Sequence, residues 1–554
     1  MTIETPHEVK SMRNGSNDAV DVVVIGAGFS GMYAIHRLRN DYKVTCFEAG
    51  DGVGGTWYWN RYPGARVDIE SMEYSYSFDE ELQQEWKWPE MFSAQPDLEA
   101  YANHVADRFK LRDYIRFSTR VERLEFDEAA NRWHVYTDHG EHVVCKYVVA
   151  ATGSLNVPTF PNWPGKEDFK GEIYHTARWP REGVDVSGKR VGIIGTGSTS
   201  IQASPILAQS AEHLYVFQRT PAFSMPSGNR PISEEYDREW KESYSERRER
   251  MWKTVGLSLI KLPEKSVFDY TPEERRAILE KAWNSQSAFQ LQVTFSDSQT
   301  DPKANEIVSE FVREKIRSTV KDPTVAELLC PKTYPLGAKR LCIDSGYFEM
   351  YNRDNVTLVD ARTNPIIGFT PEGLQTTAAT YDLDVVVFAT GFDAMTGAMT
   401  KMNITGVGGV TIRDKWRNGP TTYLGMMVAG FPNLFMVHGP QSPSVLCTMI
   451  MGGEWQVNWI ARVIDEMERD GFERIDTTVE AEEGWSAELN GVADYTLFKK
   501  ADSWYMGSNV EGKPRSFMVY VGGYERYSSL CTGAVDNGYD GFVRLKAPAN
   551  TEAV

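Results

Sequence analysis

The chain has 554 residues, enough for roughly three domains, and its 77 Asp and Glu outnumber 59 Lys and Arg to give a net charge of −18. That balance excludes a phosphate backbone as the main partner, because nucleic-acid binding needs a basic footprint, and no apolar run of about 18 residues free of Gly, Pro or charge could span a membrane. The six cysteines (Cys46, Cys145, Cys330, Cys342, Cys447 and Cys531) form no Cys-x-x-Cys and no Cys/His cluster at metal spacing, which predicts no metal site, no redox dithiol and a reducing cytoplasm.

From Met1 to Asp21 there is no apolar core of a signal peptide, so a ragged soluble start is expected. Val22 to Ile25 is a short β-branched run that ends at Gly26-Ala27-Gly28-Phe29-Ser30-Gly31, and Met32 to Leu38 follows with helical spacing. Strand, tight turn and helix in that order bind a dinucleotide. Gly26 makes the turn, Gly28 lets backbone approach a pyrophosphate, Gly31 lets helix and strand pack closely, and the helix N-terminus faces the phosphates. The next strand, Lys43 to Phe47, ends at Glu48, placed to take a ribose hydroxyl pair. Gly52, Gly54 and Gly55, followed by Thr56-Trp57-Tyr58-Trp59, add a second glycine cluster that favours the longer FAD.

Val148 to Gly153 reads as a strand ending in Ala-Thr-Gly, and a second nucleotide loop then opens at Arg190 to Ile194 with Gly195-Thr196-Gly197-Ser198-Thr199-Ser200. Ser200 replaces the third glycine and is small enough for close packing. The following strand, Leu214 to Phe217, ends in Gln218-Arg219-Thr220, where an acid would otherwise sit. A guanidinium can hold a 2′-phosphate that a carboxylate would repel, which assigns NADPH to this half, with Lys339 a second cation if the fold brings it near.

Between Pro231 and Pro335 the composition becomes charged and helical, with starts at Thr271-Pro272, Asp301-Pro302 and Asp322-Pro323, each a capping side chain before proline at the first helical position. This predicts a helical insertion over the NADPH domain, with solvated faces and no chemistry. Val385 to Gly391 repeats the strand and Ala-Thr-Gly pattern and reads as a second crossing between domains. The predicted fold class is α/β, with two Rossmann-like dinucleotide-binding domains and a helical insertion. FAD takes 1–160 and 385–554, NADP takes 176–232 and 335–384, the insertion takes 233–334, and a tail starts at Pro548.

With these pieces placed, the chain resembles the type I Baeyer–Villiger monooxygenases over nearly its whole length. Phe169, Gly171, His175, Trp179 and Pro180 match the fingerprint Phe-x-Gly-x-x-x-His-x-x-x-Trp-Pro, and Gly54-Gly55-Thr56-Trp57 through Tyr62-Pro63-Gly64-Ala65-Arg66-Val67-Asp68 match a second signature. Lys339-Arg340-Leu341, Gly439-Pro440-Gln441-Ser442-Pro443-Ser444 and Ser503-Trp504-Tyr505 are further matches to the family, and the Ser442-Pro443-Ser444 loop and Gly512-Lys513-Pro514-Arg515 are similar to its phenylacetone and steroid monooxygenase branch. Cys447-Thr448-Met449 departs from the Ser-Asn-Met of that branch.

The resemblance implies that NADPH reduces FAD, that oxygen adds to the flavin as a peroxide, and that the peroxide attacks a ketone to give an ester or lactone and water. Arg340 matches the catalytic arginine, a permanent cation beside anionic species, and Asp68 the acid that holds it. By the same resemblance Ser30, Glu48, Thr56, Trp57, Asp68, Tyr74, Val121 and Met449 lie along FAD. Thr196, Gly197, Ser198, Thr199, Ser200, Arg219, Thr220, Lys339, Arg340 and Trp504 meet NADPH, and Ser442, Pro443, Ser444 and Met449 shape the ketone pocket. His175 reads as a hinge residue between domains and Trp179 as linker packing. The partners implied are a small ketone and O2, with no obligatory protein partner. Alternatives are a heteroatom-oxygenating flavin monooxygenase, an NADPH oxidase, and a non-catalytic dinucleotide sensor that would not need both Arg340 and Asp68.

Overall fold

The structure is a computed structural model that describes residues 20–285 and 287–546, so the start before Val20 and the tail from Pro548 lie outside the described residues. Two sheets carry the molecule. The first has eight strands, ordered Asn403–Thr405, Val121–Asp127, Arg132–Thr137, His142–Ala150, Val20–Ile25, Val44–Phe47 and Ile115–Arg116, with Leu434–Met436 pairing the end of His142–Ala150. Val20–Ile25 is parallel to both neighbours. Its side chains alternate between two cores: Val22 and Val24 pack with Met32 and Ile35, whereas Val23 and Ile25 pack with Trp133 and Met436. A strand covered on both faces has no use for polar positions, which is why its sequence is nearly continuous valine.

The second sheet is wholly parallel and runs Val356–Asp360, His213–Gln218, Arg190–Ile194, Val385–Phe388 and Glu172–His175. Val385–Phe388, which the sequence pattern gives to the FAD domain, therefore lies inside the second sheet between Arg190–Ile194 and the fingerprint strand Glu172–His175. The second unit begins earlier and ends later than the residue pattern suggests. A close-packing rule accounts for this. A Cβ on Gly26 would stand 2.7 Å from the Ala151 carbonyl oxygen, and one on Gly195 would stand 2.5 Å from that of Ala389. Each glycine turn thus abuts the Ala-Thr-Gly turn of its own sheet, so the second Ala-Thr-Gly belongs with the second loop.

The helices Pro272–Asn284, Pro302–Thr319 and Pro323–Leu329 begin where the capping residues place them: Thr271 accepts from the Glu274 N–H, Asp301 from Lys303 and Ala304, and Asp322 from Thr324 and Val325. The insertion is tied to the first unit by Arg248, a buried guanidinium that donates to the carbonyls of Met72, Glu73 and Ser75. Among the described residues no helix is long and apolar enough to cross a membrane.

Candidate functional site

The first glycine loop is built by exclusion of side chains. Gly26 has φ +100°, and a Cβ on Gly31 would stand 1.8 Å from the Gly26 carbonyl oxygen, so the helix Phe29–Leu38 sits against the strand end at a distance only glycine permits. Gly28 faces Gly55, where a Cβ would stand 2.8 Å from the Gly28 Cα, and Gly55 has φ +55°. The second glycine cluster therefore closes over the first. No side chain caps the Phe29–Leu38 N-terminus, which leaves its N–H groups for an anion. Glu48 is buried and accepts from the N–H groups of Ala27 and Gly50, both at 2.7 Å. Burial pushes its carboxyl up from the ordinary range and those two N–H groups offset part of the rise. Each oxygen retains a lone pair for a ribose hydroxyl.

At the second loop the helix Ser198–Ser210 also starts without a side-chain cap, and nothing lies within 4 Å of a Cβ placed on Gly197. Thr196 bonds the Thr220 carbonyl at 2.6 Å, joining the loop to the strand end that carries Arg219. Ser200 is fully buried, and its hydroxyl meets that of Ser204 at 3.2 Å, so the glycine replacement is satisfied within the helix. Arg219 is exposed, and Lys339, over the Tyr334 ring at 4.8 Å, lies near enough for the two charges to interact. Tyr62 bonds Gln202 at 2.8 Å, and a Cβ on Gly64 would stand 2.4 Å from the Gln202 carbonyl oxygen. The second signature thus docks this helix onto the first unit while it delivers Asp68.

Arg340 and Asp68 meet as a fork, with Nε to Oδ2 at 2.6 Å and Nη2 to Oδ1 at 2.7 Å, and Nη1 donates to the Val445 carbonyl at 3.1 Å. Burial works against the guanidinium charge, but the attraction and hydrogen bonds of Asp68 outweigh it and hold the pKa of Arg340 above its ordinary value. The pair stands in the wall of a cavity of about 1130 Å³ that runs from Gly26, Gly28, Ser30 and Glu48 past Thr56, Trp57, Tyr74 and Val121 to Ser198, Thr199, Met449 and Trp504. Trp57 donates its indole N–H to the Tyr74 hydroxyl at 3.0 Å, which fixes two aromatic walls. Open glycine backbones, uncapped helix starts and an unpaired cation beside the second loop fit both FAD and NADPH.

Not all expected residues face this space. Pro443 and Met449 line the cavity, but Ser442 and Ser444 do not: Ser442 is fully buried and donates to the Gly439 carbonyl at 2.7 Å, and Ser444, at φ +43°, turns its hydroxyl toward the Met395 sulfur. The wall there is Val445, Leu446 and Cys447. The insertion, expected to stay clear of the chemistry, contributes Val255, Gly256, Ile260, Leu262, Phe289 and Gln292. Its loop is pinned by bonds from the Thr448 N–H and hydroxyl to the carbonyls of Gly256 and Leu257 at 2.9 and 2.7 Å. Composition gave no signal for this, because the apolar lining is a few residues scattered through charged helices. Tyr505 lies with Phe289 and Gln292 beside the Arg340–Asp68 pair, a position visible in the sequence only as the neighbour of Trp504.

Residues 19–239 match the family model described as FMO-like, flavin-binding monooxygenase-like. The chain is 43% identical over 532 residues to a Baeyer-Villiger monooxygenase of Pseudooceanicola batsensis, covering 95% of this chain and 96% of that one. It is 40% identical over 541 residues to the phenazine N-monooxygenase PhzNO1 of Lysobacter antibioticus, covering 96% and 98%. Among solved structures, an oxidized steroid monooxygenase bound to NADP superposes with a TM-score of 0.91 at 48% identity, covering 96% of this chain and all of that one.

Proposed function

We infer the reaction from a family premise: the chain belongs to the Baeyer–Villiger monooxygenases, and it is an FAD-dependent, NADPH-consuming flavoprotein monooxygenase. We propose that its substrate is a ketone, next to whose carbonyl one atom of O2 is inserted to give an ester or lactone. The observation that carries this is the Arg340–Asp68 fork in the cavity wall. When bound, FAD would accept two electrons from NADPH and pass them to dioxygen. The first glycine loop would hold FAD and the second NADPH, since each opens a helix whose start has no side-chain cap and leaves N–H groups for a phosphate.

The chain's own residues then have three tasks. Arg340 holds a permanent positive charge where negative charge develops on the ketone oxygen, and it has no proton to surrender near neutral pH. Asp68 aims that fork through two parallel bonds. Phe289, Leu446 and the Val255 to Leu262 loop exclude water and shape a pocket for cyclic, aryl or bulkier ketones. His175, expected on a linker, instead ends a strand of the second sheet, where its Nδ1 accepts from the Ala177 N–H at 3.0 Å and its ring packs against Phe160, outside the cavity lining. The six buried, unpaired cysteines support a reducing cytoplasmic setting.

The relative that oxygenates a phenazine nitrogen favours a second reading, in which a heteroatom takes the oxygen. Turnover of the purified protein with NADPH, labelled O2 and a panel of linear, aryl and cyclic ketones beside thioethers and N-heteroarenes separates the two. One labelled atom in an ester or lactone supports the ketone reading. Label confined to sulfoxides or N-oxides supports the second, and hydrogen peroxide as sole product would leave neither.

A further inference from the structure

We propose that Glu73 is a positioning residue for oxygen transfer, a buried latch that holds the loop 254–262 over the cavity and thereby keeps NADPH consumption coupled to product. The proposal rests on the reading of this cavity as the place where the substrate is oxygenated. Thr254, Val255, Gly256, Ser258, Ile260 and Leu262 line the cavity, and Val255 and Leu262 are at the same time each 48% exposed to solvent. Residues that face both sides make this loop the mouth of the cavity.

The loop has little of its own to hold it there. Residues 254–262 form neither helix nor strand, and Leu257 takes φ +52°, a left-handed conformation that costs any residue with a side chain energy. Its shape must be imposed from outside. The first half is held by the N–H groups of Tyr524 and Thr448, which donate to the carbonyls of Val255 and Gly256, both at 2.9 Å, and by the Thr448 hydroxyl on the Leu257 carbonyl at 2.7 Å. The second half is reached by Glu73, whose Oε1 accepts from the Leu259 N–H at 3.1 Å. Glu73 is only 6% exposed. Burial pushes its carboxyl up, and hydrogen bonds from Ser258 and the Leu259 N–H offset part of the rise, so the acid is set against the loop and not against solvent.

Glu73 itself is held by the insertion it latches. The Arg248 guanidinium donates to the carbonyls of Met72, Glu73 and Ser75 and, at 2.8 Å, to the Ser75 hydroxyl, which fixes the backbone from which the carboxyl projects. Arg248 lies on the helix Tyr244–Trp252, whose end leads directly into the loop. The same first-unit segment carries Asp68 and Tyr74, so the latch also sets the loop against the cavity wall that holds the Arg340–Asp68 fork. A loop released at Leu259 admits water to the cavity. NADPH, a proton and O2 then give NADP⁺ and hydrogen peroxide, with no oxygen atom passed to the substrate.

The test compares the wild-type holoenzyme with Glu73→Leu and Glu73→Gln. Backbone hydrogen exchange over 254–262, hydrogen peroxide formed per NADPH at saturating ketone, flavin reduction rate and melting temperature are measured for each. Glu73→Leu fills the volume but leaves the Leu259 N–H unpaired, so that amide is expected to exchange at least about fivefold faster, the scale of one lost buried acceptor. Peroxide per NADPH rises with it, while flavin reduction stays within about twofold of wild type. Glu73→Gln keeps an acceptor for Leu259 and brings both readouts back toward wild type. Should Glu73→Leu fail to fold, Thr448→Val frees the Leu257 carbonyl from the opposite side and is expected to raise exchange and peroxide together. Unchanged exchange at Leu259 in Glu73→Leu, or faster exchange with peroxide unchanged, would overturn the proposal, and a lower melting temperature with coupling intact would reduce Glu73 to a structural part. If the wild type passes labelled oxygen to a substrate and Glu73→Leu stays coupled, the latch fails alone; if the wild type oxygenates none of the panel, the reading of the cavity fails and the latch with it.

Discussion

Charge and geometry at Arg340 are separable because lysine keeps the first and loses the second. Arg340→Lys leaves a cation but cannot make two parallel bonds to Asp68, so ester formation is expected to fall at least about tenfold. Arg340→Ala removes the charge as well, and a loss of about 10²- to 10³-fold is expected, the scale of a deleted oxyanion donor. Stopped-flow reduction of the flavin by NADPH should stay within about threefold of wild type in both, since hydride transfer precedes the step the charge serves. Equal ester yields from the three proteins would remove Arg340 from the chemistry. At this scale the sequence was informative only through motif matching: Asp68 and Arg340 are 272 residues apart, and no periodicity brings them together. Ser442 and Ser444 show the limit of such matching, because a motif names a loop but not the direction of its side chains, and here the wall is Pro443 with Val445, Leu446 and Cys447.

Elements fared better where a local rule decides them. Thr271, Asp301 and Asp322 cap helices that start one residue later, because both the capping bond and the proline act within a single turn. Val385–Phe388 was legible as a strand but not as a member of one sheet, since four apolar residues fit the interior of either; its register with Arg190–Ile194 is a long-range fact. The glycine turns supply the test at this scale. Gly31→Ala puts a methyl 1.8 Å from the Gly26 carbonyl oxygen and must push helix and strand apart, so a loss of about 1–3 kcal/mol of stability and of bound FAD on purification is expected. Gly197→Ala meets no atom within 4 Å and should keep its FAD and melting temperature while KM for NADPH rises. A Gly31→Ala protein that retains FAD and melts with wild type would contradict the close packing assigned to this turn.

The molecule as a whole carries a stability profile set by titratable groups whose burial outweighs their polar and charged partners. His175 and His438 both have their pKa lowered to about 4, chiefly by burial. In the unfolded chain a histidine binds its proton near pH 6.5, so unfolding takes up protons between about pH 6.5 and 4 and stability falls as the pH drops through that window. Each contributes up to roughly 3 kcal/mol across it. Glu454 opposes them. Burial raises its carboxyl to about 7 despite the bonds from the Ser77 N–H and hydroxyl at 2.8 and 2.6 Å, so its favourable contribution is full below the unfolded value near 4.5 and lost as pH rises through 7. Paired surface carboxylates such as Glu327, held at about 2, act only at lower pH. Burial also lowers His36 and His142 and raises Glu48, Glu73, Asp344, Asp476 and Glu482, so both sides have further members. The shifts of His175, His438 and Glu454 are the large ones, and with two of these three groups losing stability on acidification the melting temperature of the holoenzyme is expected to fall from pH 6.5 toward pH 5. Glu454→Gln mimics the protonated acid at every pH, so it should raise the melting temperature most at pH 8 and least at pH 5, and its own acid decline should be steeper than that of wild type. His438→Gln should flatten the decline. A wild-type melting temperature that rises from pH 6.5 to 5, or a Glu454→Gln effect independent of pH, would show that the interior is hydrated enough to ionise these groups freely.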